Sequence, residues 1–187
     1  MIALREAAAG LYGAWRLAHL DRSGHRWFDI SPRGVVRSFW GAAIAAPAYF
    51  LILLLRLEPE ADAERILVAE SLAYVISWTA FPLVAEWLVR IVDRASRFGA
   101  LVCTYNWVNT LSIVAQGLVG IVLISELLPG PLDLLLRIAV LLAIVGYHGF
   151  AVRTALDVGW GAAIGFVLAD LAITVLVTRV AQVIGSG

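Results

Sequence analysis

The sequence predicts an all-α polytopic membrane bundle, five transmembrane helices preceded by an N-terminal amphipathic helix, and three observations lead there. Hydrophobic residues make up 61% of the 187 and charged residues only 15%, with a mean hydropathy of +0.89; a water-soluble domain of this size cannot enclose so much apolar surface. Five separate stretches reach the ~20 apolar residues that a helix needs to cross a ~30 Å hydrocarbon core. Charges, proline and glycine gather between those stretches, where the chain must turn in water. The chain thus divides into residues 1–37, cytoplasmic or interfacial, and a transmembrane domain over 38–187.

In the N-terminal segment Leu4, Ala8, Leu11, Trp15 and Ala18 recur at helical spacing, with Arg5 and Arg16 together to one side. Two arrangements fit: a helix lying among headgroups with Trp15 at the interface, or a helix packed under the bundle. The stretch has no continuous apolar core of the kind a secretory signal needs. Asp21-Arg22-Ser23-Gly24 has turn composition, and Ser31-Pro32 has the pattern of an N-cap followed by proline at the first helical position.

The spans are expected at 38–55, 66–89, 98–125, 132–152 and 159–184. Pro47 and Pro82 fall inside the first two and should kink them. The third has 28 uncharged residues, ~42 Å of helix, and so must tilt strongly or break near Asn106 to Thr110. Glu86 and Arg90, and again Asp133 and Arg137, stand four apart with the acid first, the favourable helical order. Short connections make successive helices antiparallel neighbours. With the N-terminus inside, the inner segments hold Arg5, Arg16, Arg22, Arg26, Arg33 and Arg37, then Arg90, Arg94, Arg97 and Arg153; only Arg56, Arg65, Arg137 and Arg179 fall outside. Positive charge on the inner side predicts a cytoplasmic N-terminus and an external C-terminus. The acidic loop Glu58 to Glu64 then faces out. The all-arginine basic set fits a GC-rich bacterial genome, and hence a bacterial cytoplasmic (inner) membrane.

Polar residues that lipid should exclude are the candidate site: Asp170, Asn106, Asn109, Gln116 and His148. Asp170 is the only charge between Gly161 and Thr178, and a carboxyl at midplane must face protein or water. It is either a proton- or cation-binding group or a neutral carboxyl bonded to an amide. Asn106, Asn109 and Gln116 fall at steps of three and seven and should share a face, which would line a hydrated path or form a hydrogen-bonded seam. His148 is in reach of titration near neutral pH, or simply hydrogen-bonded. Gly161, Gly165 and Ala169, and Gly41 with Ala45, are small-residue ridges suited to close helix contact within one protomer or between two.

Zero net charge argues against a nucleic-acid partner, and the single cysteine, Cys103, allows no intrachain disulfide. No motif for hydrolysis, nucleotide binding or metal ligation is present, so no catalytic residue, cofactor or metal is expected. The partners expected are membrane lipids, a second copy or another membrane protein.

The stretch Tyr147-His148-Gly149-Phe150-Ala151-Val152-Arg153-Thr154-Ala155-Leu156, followed by a glycine-rich last span, resembles the fourth helix, basic loop and fifth helix of the Yip family, the Rab/Ypt-interacting five-span proteins. That resemblance implies a membrane-organising or scaffold protein and transfers no site residue. A non-enzymatic scaffold or assembly subunit is the leading expectation. A small transporter or channel using a polar face of the third and fifth spans is the alternative, which requires Asp170 and the amides to converge on a hydrated cavity.

Overall fold

Hydrophobic boundaries and helix boundaries do not coincide in this chain. The computed structural model describes residues 2–58, 62–125 and 127–186; residues 59–61 of the acidic loop and Glu126 lie outside them. The elements are α1 (Ile2–Ala18), a 3-10 turn (Arg22–Trp27), α2 (Pro32–Ser38), α3 (Trp40–Leu55), α4 (Ala63–Ile91), a second 3-10 turn (Ala95–Arg97), α5 (Phe98–Ile124), α6 (Gly130–Leu156) and α7 (Trp160–Ser186). Among the described residues no strand forms. Five helical stretches, Pro32–Leu55, Ala63–Ile91, Ala95–Ile124, Gly130–Leu156 and Trp160–Gly185, are long and apolar enough to cross a membrane, with mean hydropathies between 1.5 and 2.1. The chain is an integral membrane protein.

Local chemistry sets the ends. Ser31 Oγ accepts from the Gly34 amide at 3.1 Å, so helix begins at Pro32, well before the uncharged stretch. α6 runs past Arg153 to Leu156, with that guanidinium extended over the Trp160 ring, 5.2 Å from its centroid. Asp93 and Asp157, just beyond α4 and α6, adopt left-handed conformations with φ of 56° and 55°, which a short polar side chain tolerates. The sequence allowed a break in the third span; α5 instead runs unbroken through Asn106 to Thr110.

Around the bundle the helices follow the order α3, α5, α6, α7, α4, and side chains of α4 reach back to α3. Small residues let α3 and α5 approach: Gly41 faces Thr110, and Gly117 faces Ala48. Between α4 and α7, Ala69 and Ala73 pack on Ala181 and Val177. Tyrosine hydroxyls also tie α4 to α3, Tyr74 to the Ala42 carbonyl and Tyr49 to Glu70, both at 2.6 Å. Toward the N-terminal side the interior fills: Phe81, Ala85, Val89, Leu101, Val152 and Phe166 form one cluster. There α4 meets α5, with the Phe81 and Tyr105 rings stacked at 4.1 Å. On the far side the small and polar residues of α5 leave the ring open inside.

The N-terminal segment packs on the flank of α5 and α6. A Cβ on Gly10 would fall on the Trp107 ring, and Ala14 and Leu17 are fully buried with Cys103 and Phe150. Tyr147 Oη donates to the Ala14 carbonyl at 2.8 Å, and Cys103 Sγ to the Asp29 carbonyl at 3.1 Å. His25 contacts Thr104 Oγ1 at 3.4 Å. Burial, aided by the Arg97 charge, holds the His25 imidazolium below its ordinary pKa, against a backbone hydrogen bond at Thr154 that pulls it up. The docked segment therefore favours neutral imidazole. Its contribution is present above the free-histidine pKa of ~6.5 and is lost as pH falls below it. Proteolysis after Arg16, Arg22 or Arg26 should accelerate between about pH 7.5 and about pH 5.5, and His25→Gln should flatten that dependence.

Candidate functional site

Four polar residues of α7, Asp170, Thr174, Thr178 and Gln182, succeed one another at steps of four. A step of four advances ~400° around a helix, so the row stays on one face and drifts only ~40° per step. Ala163 and Phe166 toward the start of the helix and Ala181 near its end lie on that same side and pack into the bundle, while Leu168 and Val175 on the opposite side are exposed. From α5, Tyr105, Asn109, Ile113 and Gln116 make a matching row at steps of four, four and three. The two rows look into a common cavity of about 680 Å3, completed by Tyr49 and Arg56 of α3, Glu70, Tyr74, Ser77 and Trp78 of α4, and Arg137 and Ile144 of α6. All five spans contribute. The cavity runs from Tyr105 and Asp170 at mid-span to Arg56 and Gln182 near the far ends of their helices, ~18 Å by the helical rise along α7.

At the floor Tyr105 Oη donates to Asp170 Oδ1 at 2.7 Å. Tyr105 is only 6% exposed and its ring is clamped on Phe81, so the hydroxyl is held in place. A carboxylate has about four acceptor positions. Among the described residues no second donor reaches Asp170, which leaves most of its hydrogen-bonding capacity to the cavity. Higher up, Tyr49 Oη donates to Glu70 Oε2, and Tyr49, Tyr74 and Trp78 form an aromatic wall with centroid spacings of 4.8 and 6.1 Å. At the rim Arg137 is bound through two nitrogens by Asp133, at 2.7 and 3.2 Å. Arg56 closes the end of α3.

Compared with protein-family models, curated proteins and solved structures, the chain matches none of them.

Of the residues singled out in the sequence, Asp170, Asn109 and Gln116 meet at this cavity. Asn106 and His148 do not. Asn106 is fully buried on the other flank of α5, where its Nδ2 donates to Ser38 Oγ at 2.8 Å and ties α5 to α2. The expectation that Asn106 and Asn109 share a face with Gln116 is corrected here: a step of three advances only ~300°, and the edge of the cavity-facing stripe falls inside that 60° gap. Tyr105, four before Asn109, takes the place assigned to Asn106. His148 Nε2 lies 3.1 Å from Ser112 Oγ in the α5–α6 seam, with its ring edge-on to Tyr105 at 6.3 Å. It backs the floor without lining the cavity.

Tyr105, Glu70, Tyr49 and the α7 threonines are the cavity residues that sequence reasoning missed. The row at 170, 174, 178 and 182 is readable as a period of four, whereas Tyr49 and Tyr105 look like ordinary apolar lining. Among the described residues no three metal-ligating side chains come together.

Proposed function

We propose that this membrane protein is a small, non-enzymatic solute transporter whose binding site is the cavity between its five spans. One observation carries the reading: every span brings a polar side chain to the same cavity, while the packed cluster around Phe81, Leu101 and Phe166 closes the N-terminal side beneath it. A one-sided cavity ending at mid-span is the form in which solute sites occur in alternating-access proteins, and its volume lies in the range of small-molecule pockets. Of the two sequence expectations this favours the second. With the arginine-rich side cytoplasmic, the cavity opens outward from a bacterial inner membrane. The reading needs no cofactor or metal.

A Yip-like organising role has support of its own from Gly161 and Gly165. Both are exposed or half-buried, and nothing stands within 4 Å of a Cβ built on either, so a second membrane helix would pack closely there. That ridge lies on the lipid face and leaves the cavity as it is.

The test is water access. Cys103 is buried, so the unaltered protein in vesicles serves as the unreactive control. Thr174→Cys, one turn above the floor on the α7 row, is expected to react with a membrane-impermeant thiol reagent from the far side, and more slowly from the N-terminal side as the bundle alternates. A thiol there that reacts from neither side makes the cavity dry and removes the transport reading.

A further inference from the structure

We propose that the cavity takes a protonated organic amine, its ammonium group seated against Asp170 and its carbon body along the Tyr74–Trp78 wall. The inference rests on the cavity being the solute site and adds the chemical class of the solute.

Charge inside the cavity is unbalanced. Asp170 and Glu70 both line it, and each receives one phenolic hydroxyl, from Tyr105 and Tyr49. A phenol donates a single hydrogen bond and supplies no positive charge. Among the described residues neither carboxylate has an arginine within ion-pair distance. The cations that line the cavity stand at its mouth: Arg137 is already occupied by Asp133, and Arg56 lies at the far end of α3. Ala69 packs on Ala181, eleven residues beyond Asp170 on α7, so Glu70 stands ~16 Å above the floor. The two carboxylates thus mark the way in and the end of it, and a cationic solute supplies the positive charge that the lining lacks beside them. An anion would meet Asp170 at the deepest point.

An organic cation fits better than a bare metal ion. Hard cations require a shell of six or more oxygens at ~2–2.6 Å. A cavity of about 680 Å3 is the size of an organic molecule. Tyr49, Tyr74 and Trp78 supply aromatic surface beside the path, and aromatic surface attracts alkylammonium groups both as apolar contact and through the ring quadrupole. Asn109 and Thr174 add neutral hydrogen-bonding groups near the floor.

The experiment uses Thr174→Cys in the full chain, reconstituted in uncharged phosphatidylcholine vesicles, with two methanethiosulfonate reagents of similar size. One carries a trimethylammonium group, the other a sulfonate. Relative to the ratio for a free thiol in solution, the cationic reagent should react roughly tenfold faster, and Asp170→Asn should erase that preference. Independently of that variant, n-butylammonium should protect the thiol, while butyrate and sodium chloride at equal ionic strength should not. Thr178→Cys, one turn higher, repeats the measurement if Thr174→Cys does not fold. Labelling without a cationic preference, or protection by butyrate in place of butylammonium, overturns the amine and leaves the cavity standing. Absence of labelling by both reagents overturns the amine and the transport reading together.

Discussion

Asp170→Asn is expected to lower uptake of labelled methylammonium into proteoliposomes by roughly a hundredfold while leaving the unfolding temperature in detergent within error of the wild type. An ammonium ~6 Å from a unit charge at an effective dielectric near 20 gains about 3 kcal/mol, and that gain vanishes with the charge. The fold should persist because the asparagine carbonyl can still accept from Tyr105 Oη, which reaches the Asp170 carboxylate at 2.7 Å in the wild type. Tyr105→Phe should do less, about tenfold or below, since it removes one neutral donor and keeps the ring that stacks on Phe81. Wild-type uptake by Asp170→Asn would place the carboxylate outside the path.

Gly41→Ala is expected to be among the most disruptive single-methyl changes in the bundle. A Cβ there would overlap Thr110 Oγ1 and stand 3.2 Å from the Asn106 carbonyl oxygen. Thr110 cannot turn away freely, because its hydroxyl donates to that same carbonyl at 2.7 Å. Either α3 and α5 part or the threonine gives up its bond, an overpacking penalty of about 1–3 kcal/mol. Gly161→Ala is the matched control: nothing stands within 4 Å of its Cβ, and the higher helix propensity of alanine stabilises by up to ~1 kcal/mol. Thermal unfolding of the two variants in one detergent checks the contrast. A seam that absorbs Gly41→Ala without loss is looser than its geometry states.

The five spans were legible because membrane insertion is decided by summed apolar length, a quantity that a sequence states directly. Their ends were less so. Arg153 looked like a terminus, yet α6 continues past it to Leu156, and its long side chain carries the charge over Trp160. Asp170, Asn109 and Gln116 were recognisable as polar groups in an apolar setting. Their partners were harder to find, since a cavity is a relation between helices. Which side of Asn106 faces Ser38 depends on the angular position of α5 against α2, and a step of three residues lies too near the edge of a stripe to decide it. Glu70 sits about one turn into its span, where water could reach it; only the approach of Tyr49 from α3 shows that it belongs inside. Tyr105 gave no polar signal at all, because a tyrosine in a span is ordinarily an interfacial anchor.

The place of α7 in the ring has a consequence for how the protein is made. α7 leaves the ribosome after the other four spans, yet it packs between α4 and α6 and brings Asp170 with it. Until it arrives, α4 holds to its predecessor α3 through the packing of Tyr74 and Trp78 on Ala45, Tyr49 and Phe50 and two tyrosine hydroxyls, and the alanine face it later presses on α7 lies open to lipid. Closure of the ring therefore waits on α7, and the acid at the cavity floor enters the bilayer only when Tyr105 is already there to receive it.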